Sequence, residues 1–287
     1  LFQKEKAELK FDEEIEKSKS WIKNFPIKEM MKHKWIPYNN GAILILKDLL
    51  KFFGIAHPDQ WEKIYENNYN AVAFRMSLKN INNSYAISAW LRQGERQSSE
   101  LKLNKYQKEK FIEKLNDIKE LSYNHPPNFH IELQKICSEC GVAVVFTPNI
   151  PHAPISGASR WIKDLSVPLI QLSGRYKTND SFWFTFFHEA GHILLHGKKE
   201  IFLEKVEGAK QDLTKENEAD KFAEKWLYGN ELCKFAGTNM NIKKSDIIAL
   251  ARTLKIHPAL IVGFLQHNKI IPQSYLNDLK IKINLFD

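Results

Sequence analysis

Apolar positions in the first 125 residues are spaced three and four apart among many Lys and Glu, a pattern typical of amphipathic helices. Residues 1–23 have helical composition. The run Ala42–Phe53 (AILILKDLLKFF) has helical period and stops at Gly54, the residue type expected just past a helix end. The pattern is helical again over residues 85–121, and Gly94 is predicted to divide that segment. This part of the chain is therefore predicted to be mainly helical.

A pair of prolines separates this region from the rest of the chain. Pro126 and Pro127, in the segment SYNHPPNF, prevent a continuous helix across this point. We therefore predict two parts, a mainly helical linker or regulatory region at 1–125 and a second domain at 126–287.

The second part has a different pattern, in which strand-like runs precede a strongly apolar helix. VAVVF is β-branched and of strand length, and SGASRWI and VPLIQLS are two further strand candidates. A helix starting near Asn179 or Asp180 carries FWFTFFHEAGHILLH, and its apolar character nearly all round predicts burial. Further helices are predicted around 216–228, around 243–254 and after Pro258. The second part is thus predicted to be α+β.

Charge and cysteine content narrow the class of protein. The net charge of +8 is spread over the chain, with 22 Lys and Arg against 17 Asp and Glu up to residue 125, so it favours a solvated surface over a phosphate-binding track. Three cysteines argue against a disulfide scaffold and for a reducing compartment, which makes a cytoplasmic protein the expectation. No apolar run approaches the length of a membrane span, and the charged start is unlike a signal peptide.

His188, Glu189 and His192 form HEAGH, an H-E-x-x-H pattern. On a helix, residues four apart lie on one face about one turn from each other, so two imidazoles can bind one ion. Glu189 lies on the flank, where it can take a proton from metal-bound water without binding the metal. The alternative is a pair of packed core histidines. The uncharged, proline-free flanks favour a buried active-site helix and a Zn²⁺ site.

A third ligand is needed, because a catalytic zinc site normally has three protein ligands and one open position. The stretch ENEADKFAEKWL begins 24 residues after His192 and offers Glu216, Glu218 and Asp220. Glu216 and Asp220 are four apart and share a helix face, so Glu216 can bind zinc while Asp220, behind it, steadies the N–H of a ligating imidazole. Glu218 lies on a different side. We therefore predict Glu216, rather than Glu218, as the ligand.

Three other polar residues are weighed for roles in the site. His196 extends the motif to HEAGHILLH, but it lies about 12 Å along the helix axis from His188, too far to bind the same ion. A structural or supporting role is expected for it. Tyr176 and His257 are candidates for stabilising a developing oxyanion, although a structural role is favoured for each.

The segments RYKTNDSFWFTFFHEAGHILLH, ENEADKFAEKWL and LARTLKIHPALIVGFLQ together resemble the ImmA/IrrE family of metallopeptidase domains, over approximately residues 125–270. The resemblance implies a zincin-like fold with a small sheet beside the active-site helix. The run E-x-E-A-x-x-F-A supports Glu216 as a ligand by position. Many relatives have Asn where this chain has Asp220, so the supporting role of that residue departs from the common family pattern.

Residues 30–125, including FFGIAHPDQW, AFRMS and AISAWLRQGE, resemble the region that joins an N-terminal helix-turn-helix to this peptidase in HigA-like regulators. This resemblance implies a DNA-binding module upstream of Leu1, and a start at Leu rather than Met is expected of a fragment or processed product. Members of the family are linked to cleavage of partner repressors and to stress, phage or toxin–antitoxin regulation.

The leading hypothesis is a cytoplasmic zinc endopeptidase in which His188, His192 and Glu216 bind Zn²⁺ and Glu189 is the catalytic base. The expected partner is a protein substrate, either a transcriptional regulator or a toxin. DNA is expected to bind only through the upstream module, no membrane is expected, and a homodimer is left open. The alternative is an antitoxin-like transcriptional regulator whose zincin-like domain binds a partner or ligand without cleavage.

Overall fold

Helices make up most of the described residues in the first part of the chain, as its apolar spacing predicts. The helical prediction for residues 1–15 lies outside the described residues. The computed structural model describes residues 16–66, 81–175, 177–204, 212–238 and 242–286. Gly54 ends α3 in the left-handed region at φ +71°, which glycine adopts without a steric penalty, so the predicted end of this helix is confirmed. The helices are α1 (residues 16–23), α2 (Ile27–Lys32), α3 (Ala42–Phe53), α4 (Pro58–Trp61, continued by a π-helix, Glu62–Glu66), α5 (Ile81–Ser99) and α6 (Lys108–Asn124).

The prediction that Gly94 divides the helical segment is wrong. α5 continues through Gly94 to Ser99, and the break falls between α5 and α6. A Cβ at position 94 would lie 2.1 Å from Oε1 of Gln171, a fully buried side chain. The glycine therefore lets the helix approach its neighbour closely and does not end it.

A four-stranded sheet forms the centre of the second part. The three predicted strands are confirmed, whereas the short β4 was not predicted. The strands lie in the order β1-β3-β2-β4; β1 is parallel to β3, and the other pairs are antiparallel. The elements are α7 (Phe129–Glu139), β1 (Ala143–Phe146), β2 (Gly157–Ile162), β3 (Val167–Leu172), α8 (Asn179–Leu195), β4 (Ile201–Leu203), α9 (Leu213–Leu227), α10 (Gly229–Thr238), α11 (Lys244–Leu254) and α12 (Pro258–His267).

The two larger hydrophobic cores among the described residues meet at the sheet. The larger one contains Trp183, Phe186 and Phe187 of α8 with Ile170 of β3, which confirms that α8 is buried nearly all round. The second core joins residues of α1–α5 to apolar residues near β2 and β4, including Ala158. The molecule is α+β, with a small sheet beside the buried helix, as the zincin-like prediction requires. The division near residue 125 stays a prediction.

Polar contacts also join α5 to the sheet. The buried Arg160 of β2 donates from Nη2 to the carbonyl of Leu91 at 2.7 Å and from Nη1 to Oε1 of Gln171 at 3.1 Å. Nε2 of Gln171 in turn donates to the carbonyl of Trp90 at 2.7 Å. Because buried polar groups left unpaired are costly, this network fixes the position of α5 on the strands that lie beneath α8.

No single helix among the described residues is both long and apolar enough to cross a membrane. Taken together, α11 and α12 are long and apolar enough to do so, but the chain bends by 115° between them.

Candidate metal centre

Two histidines of α8 face each other across one helical turn. His188 and His192 are four residues apart, and their Nε2 atoms are 3.0 Å apart. Both residues are almost completely buried, at 3% and 2% exposure. Most of the neighbouring side chains on α8 are buried and apolar, so the helix holds both rings in fixed positions.

Glu216 reaches the same point from α9. Its Oε2 lies 3.3 Å from Nε2 of His188, and its Oε1 lies 3.6 Å from Nε2 of His192. The side chain of Asp212 accepts hydrogen bonds from the backbone N–H groups of Thr214 and Lys215 and thereby caps α9. This cap fixes the first turn of α9, in which Glu216 lies.

The other two carboxylates of ENEAD support histidines. Asp220 Oδ1 lies 2.9 Å from Nδ1 of His188, on the side of the ring opposite Nε2. Glu218 Oε2 lies 3.0 Å from Nε2 of His196, and Nδ1 of His196 lies 2.9 Å from Nδ1 of His192. The structure therefore places Glu216, and not Glu218, beside the two ligand nitrogens, and it places Asp220 behind one of them.

The donor set fits a divalent metal ion. One ligand atom each from His188, His192 and Glu216 can be chosen so that all lie within 4.8 Å of one another, and no other trio of His, Cys, Asp or Glu in the described ranges comes this close. When His188 is neutral and its Nδ1 donates to Asp220, its Nε2 presents a lone pair to the centre. Lone pairs and a carboxylate directed at one point repel each other unless a cation lies between them. Two imidazole nitrogens and a carboxylate form a ligand set that Zn²⁺ prefers.

Electrostatics agree with an ionised Glu216. Burial alone would raise the pKa of this carboxyl, but the contacts to His188 and His192 outweigh burial and lower the pKa to about 2. Burial likewise opposes protonation of His188, yet its hydrogen bonds to Asp220 and Glu216 raise its pKa well above the usual value. The carboxylates beside His188 therefore favour positive charge at this ring, which a bound cation can supply. His192 differs, because burial lowers its pKa to about 4.

Glu189 lies beside the ligands but does not join them. It is fully buried, and burial raises its pKa to about 8; the neighbouring Glu204 adds to the rise, while His188 and the Ser159 hydroxyl oppose it. A Cβ on Gly157 would lie 2.7 Å from Oε1 of Glu189, so the glycine at the start of β2 makes room for this carboxyl group. A carboxyl group with a pKa near neutrality is suited to proton transfer.

These residues lie within a segment that has known relatives. Residues 137–253 match the family described as Peptidase_M78, the IrrE N-terminal-like domain. The match confirms the resemblance to the ImmA/IrrE family over less than half of the chain, and the matched segment contains the HEAGH and ENEAD motifs. No curated protein matches the chain. Residues 137–253 are thus similar to a metallopeptidase-family domain.

A cleft of about 370 Å³ opens beside the metal centre of this IrrE-like domain. His188 and Glu216 contribute to its wall, so a bound molecule would lie directly against the ligands. Its apolar lining comes from α8, α9 and α12, and carboxylates make up most of its charged lining. The lining includes Phe184, Leu213, Tyr228 and Phe264 together with Asp180, Glu204, Asp220 and Glu224.

Some site residues have no local signal in the sequence. Glu204 follows the three-residue β4 and helps to raise the pKa of Glu189. Phe202 of β4 stacks on His192 with ring centroids 3.9 Å apart, and the sequence pattern did not predict this strand. His257 caps α12 by accepting a hydrogen bond from the N–H of Ala259 at 3.2 Å, which is a structural role. Tyr176, the other oxyanion candidate, lies outside the described residues.

Proposed function

We propose that the protein is a zinc-dependent endopeptidase that cleaves a partner regulatory protein. The observation that carries the proposal is the convergence of His188, His192 and Glu216 on one point, with the buried carboxyl group of Glu189 beside them. When bound there, zinc would polarise a peptide carbonyl and make water a stronger nucleophile.

Glu189 is the proposed general base. It adjoins His188 in sequence but forms no part of the ligand trio, which leaves its oxygens available for a proton. Its pKa of about 8 means that the carboxyl binds a proton strongly once it accepts one from the attacking water. The same group can then donate that proton to the leaving amine, so one side chain serves both steps of peptide hydrolysis.

The remaining residues hold this arrangement in place. Glu216 supplies negative charge and a third ligand atom, and Asp220 orients His188 through its Nδ1. The cleft, with aromatic and acidic walls, can accept a segment of polypeptide next to the ligands. Support for a regulatory protein as the substrate comes from the family resemblance and from the HigA-like character of residues 30–125, because ligand chemistry alone does not set specificity.

The test compares the wild type with Glu189→Gln, an isosteric change that removes the base and keeps the ligands. Metal content is measured on the purified proteins, and cleavage is measured on the regulators encoded beside this gene. Glu231→Gln, at an exposed position on α10, is the matched control. We expect stoichiometric zinc in all three proteins and loss of cleavage, by about a hundredfold or more, only in Glu189→Gln.

Two outcomes would contradict the proposal. Full cleavage by Glu189→Gln would remove the assigned base. Zinc and partner binding without cleavage by the wild type would favour the alternative, a regulator that recognises its partner through the IrrE-like domain without cutting it.

A further inference from the structure

Glu218 does not contact the ligand histidines directly. It contacts His192 through the imidazole of His196. His196 lies one turn beyond His192; its Nδ1 is 2.9 Å from Nδ1 of His192, and its Nε2 is 3.0 Å from Oε2 of Glu218. The His196 side chain is only 3% exposed. We propose that Glu218 and His196 are positioning residues that fix His192 in the tautomer able to bind metal. The inference rests on the proposed metal site.

Hydrogen-bond chemistry determines the direction of this chain of contacts. An imidazole bound to a metal is neutral, and two facing Nδ1 atoms can share only one proton. If His196 donated it, Nε2 of His196 would face the Glu218 carboxylate with a lone pair, which is repulsive. If His192 donates it, the Nε2–H of His196 points at Glu218 and both contacts are hydrogen bonds. Nε2 of His192 then carries a lone pair directed at the centre.

The three acidic residues of ENEAD therefore have three distinct positions relative to the histidines. Glu216 faces the two Nε2 atoms, and Asp220 accepts directly from His188. Asp220 contacts His188 but not His192, which lies one turn further along α8. His196 contacts Nδ1 of His192 on one side and Glu218 on the other, and so links the two. Each ligand imidazole thus has a carboxylate behind it, an arrangement that orients the ring and raises its basicity.

Packing restricts the same two rings. Phe202 stacks on His192 at 3.9 Å with an interplanar angle of 13°, and its centroid lies 5.2 Å from that of His196. A purely structural role for His196, filling space against Phe202, is therefore the competing explanation. The two explanations differ in what they require at Nδ1: a positioning role needs a hydrogen-bond acceptor there, whereas a packing role needs only a ring.

The first experiment measures zinc affinity by competition with a chelator. His196→Phe keeps a ring and removes the acceptor, and we expect it to lower affinity by about ten- to a hundredfold. His196→Asn places an amide oxygen near the Nδ1 position and is expected to keep most of the wild-type affinity. His33→Phe, the same change at a partly buried histidine just after α2, is the matched control and is expected to bind zinc normally.

The opposite pattern would overturn the inference. Wild-type affinity in His196→Phe, or equal losses in His196→Phe and His196→Asn, would assign His196 to packing alone. A wild type that binds no zinc would instead reject the proposed function itself, so the two failures are distinguishable.

The second experiment needs no metal. Nitrogen-15 NMR of the histidine rings in the metal-free protein reports which nitrogen of His192 carries the proton. We expect a proton on Nδ1 in the wild type, and a smaller population of that tautomer in Glu218→Met and His196→Phe. Glu218 is about half exposed to solvent, so its replacement is expected to lower zinc affinity less than His196→Phe does. A His192 proton on Nε2 in the wild type would contradict the inference.

Discussion

Gly191 leaves no room for a side chain against Phe222 where α8 packs on α9. A Cβ on residue 191 would lie 3.2 Å from Cβ of Phe222 and 3.3 Å from the backbone of Ala219, both tighter than ordinary contact. The glycine of HEAGH therefore allows the two helices to approach closely. This approach is what lets Glu216, on α9, reach the two histidines of α8.

Gly191→Ala is expected to weaken zinc binding by about tenfold and to destabilise the protein by at most about 2 kcal/mol. The extra methyl group displaces α9 by a few tenths of an ångström, at an overpacking cost of about 1–3 kcal/mol. The higher helix propensity of alanine offsets roughly 1 kcal/mol of that cost. Chelator competition and urea unfolding of the metal-free protein measure the two effects.

Gly237→Ala is the control for this prediction, since no atom lies within 4 Å of a Cβ at that position in α10. It is expected to leave zinc affinity unchanged. Unaltered zinc affinity in Gly191→Ala as well would show that the close helix contact does not set the position of Glu216.

Gly94→Ala is expected to destabilise the protein by about 1–3 kcal/mol. The new Cβ would overlap the Gln171 side chain, which cannot move freely because its Nε2 donates to the carbonyl of Trp90 and to Oγ1 of Thr147. Denaturant unfolding measures the change. A stabilised variant would mean that helix propensity outweighs the contact, and that α5 is held less firmly than its hydrogen bonds indicate.

Glu216→Gln is expected to lower zinc affinity by more than about a hundredfold, because it removes the charge of a direct ligand. Asp220→Asn removes only the charge behind His188, so a loss of about ten- to a hundredfold is expected. Chelator competition under identical conditions ranks the two variants. A larger loss in Asp220→Asn than in Glu216→Gln would reverse the assigned roles.

The His125 side chain should make the protein less stable in mild acid. Trp183 donates from Nε1 to Nδ1 of His125 at 3.1 Å, and burial, with a smaller effect from His257, lowers the pKa of His125 to about 4. As the pH falls below about 6.5, His125 therefore binds a proton in the unfolded chain but stays neutral in the folded protein. The contribution of His125 to stability is complete above pH 6.5 and is lost as the pH drops towards 4, by an amount on the order of 1–3 kcal/mol once solvent screening is allowed for.

His125→Asn tests this assignment, because asparagine keeps an acceptor for Trp183 and tolerates the left-handed backbone at φ +40°. Urea unfolding of the metal-free proteins at pH 7.5 and pH 4.5 is expected to show a smaller loss of stability in the variant. An equal loss in both proteins would assign the acid sensitivity to other groups.

The sequence predicted those features that depend only on residues close together along the chain. Gly54 ends α3, and the spacing of His188 and His192 places both on one face of α8, because each depends only on helix geometry. The prediction for Gly94 was wrong, because a glycine is needed there for close packing against Gln171, 77 positions further along the chain. The position of Glu204 and the contact between His196 and Glu218 likewise depend on how β4 and α9 pack, which periodicity does not encode.

The crossing of α8 and α9 has a consequence for how the site would fail. The ligand histidines belong to α8 and the three carboxylates to α9, so the constellation is complete only when the two helices are packed together. A rotation of α9 by one side-chain width would separate Glu216, Glu218 and Asp220 from their histidines simultaneously. The centre should consequently assemble and disassemble as a single cooperative unit, without stable half-formed states.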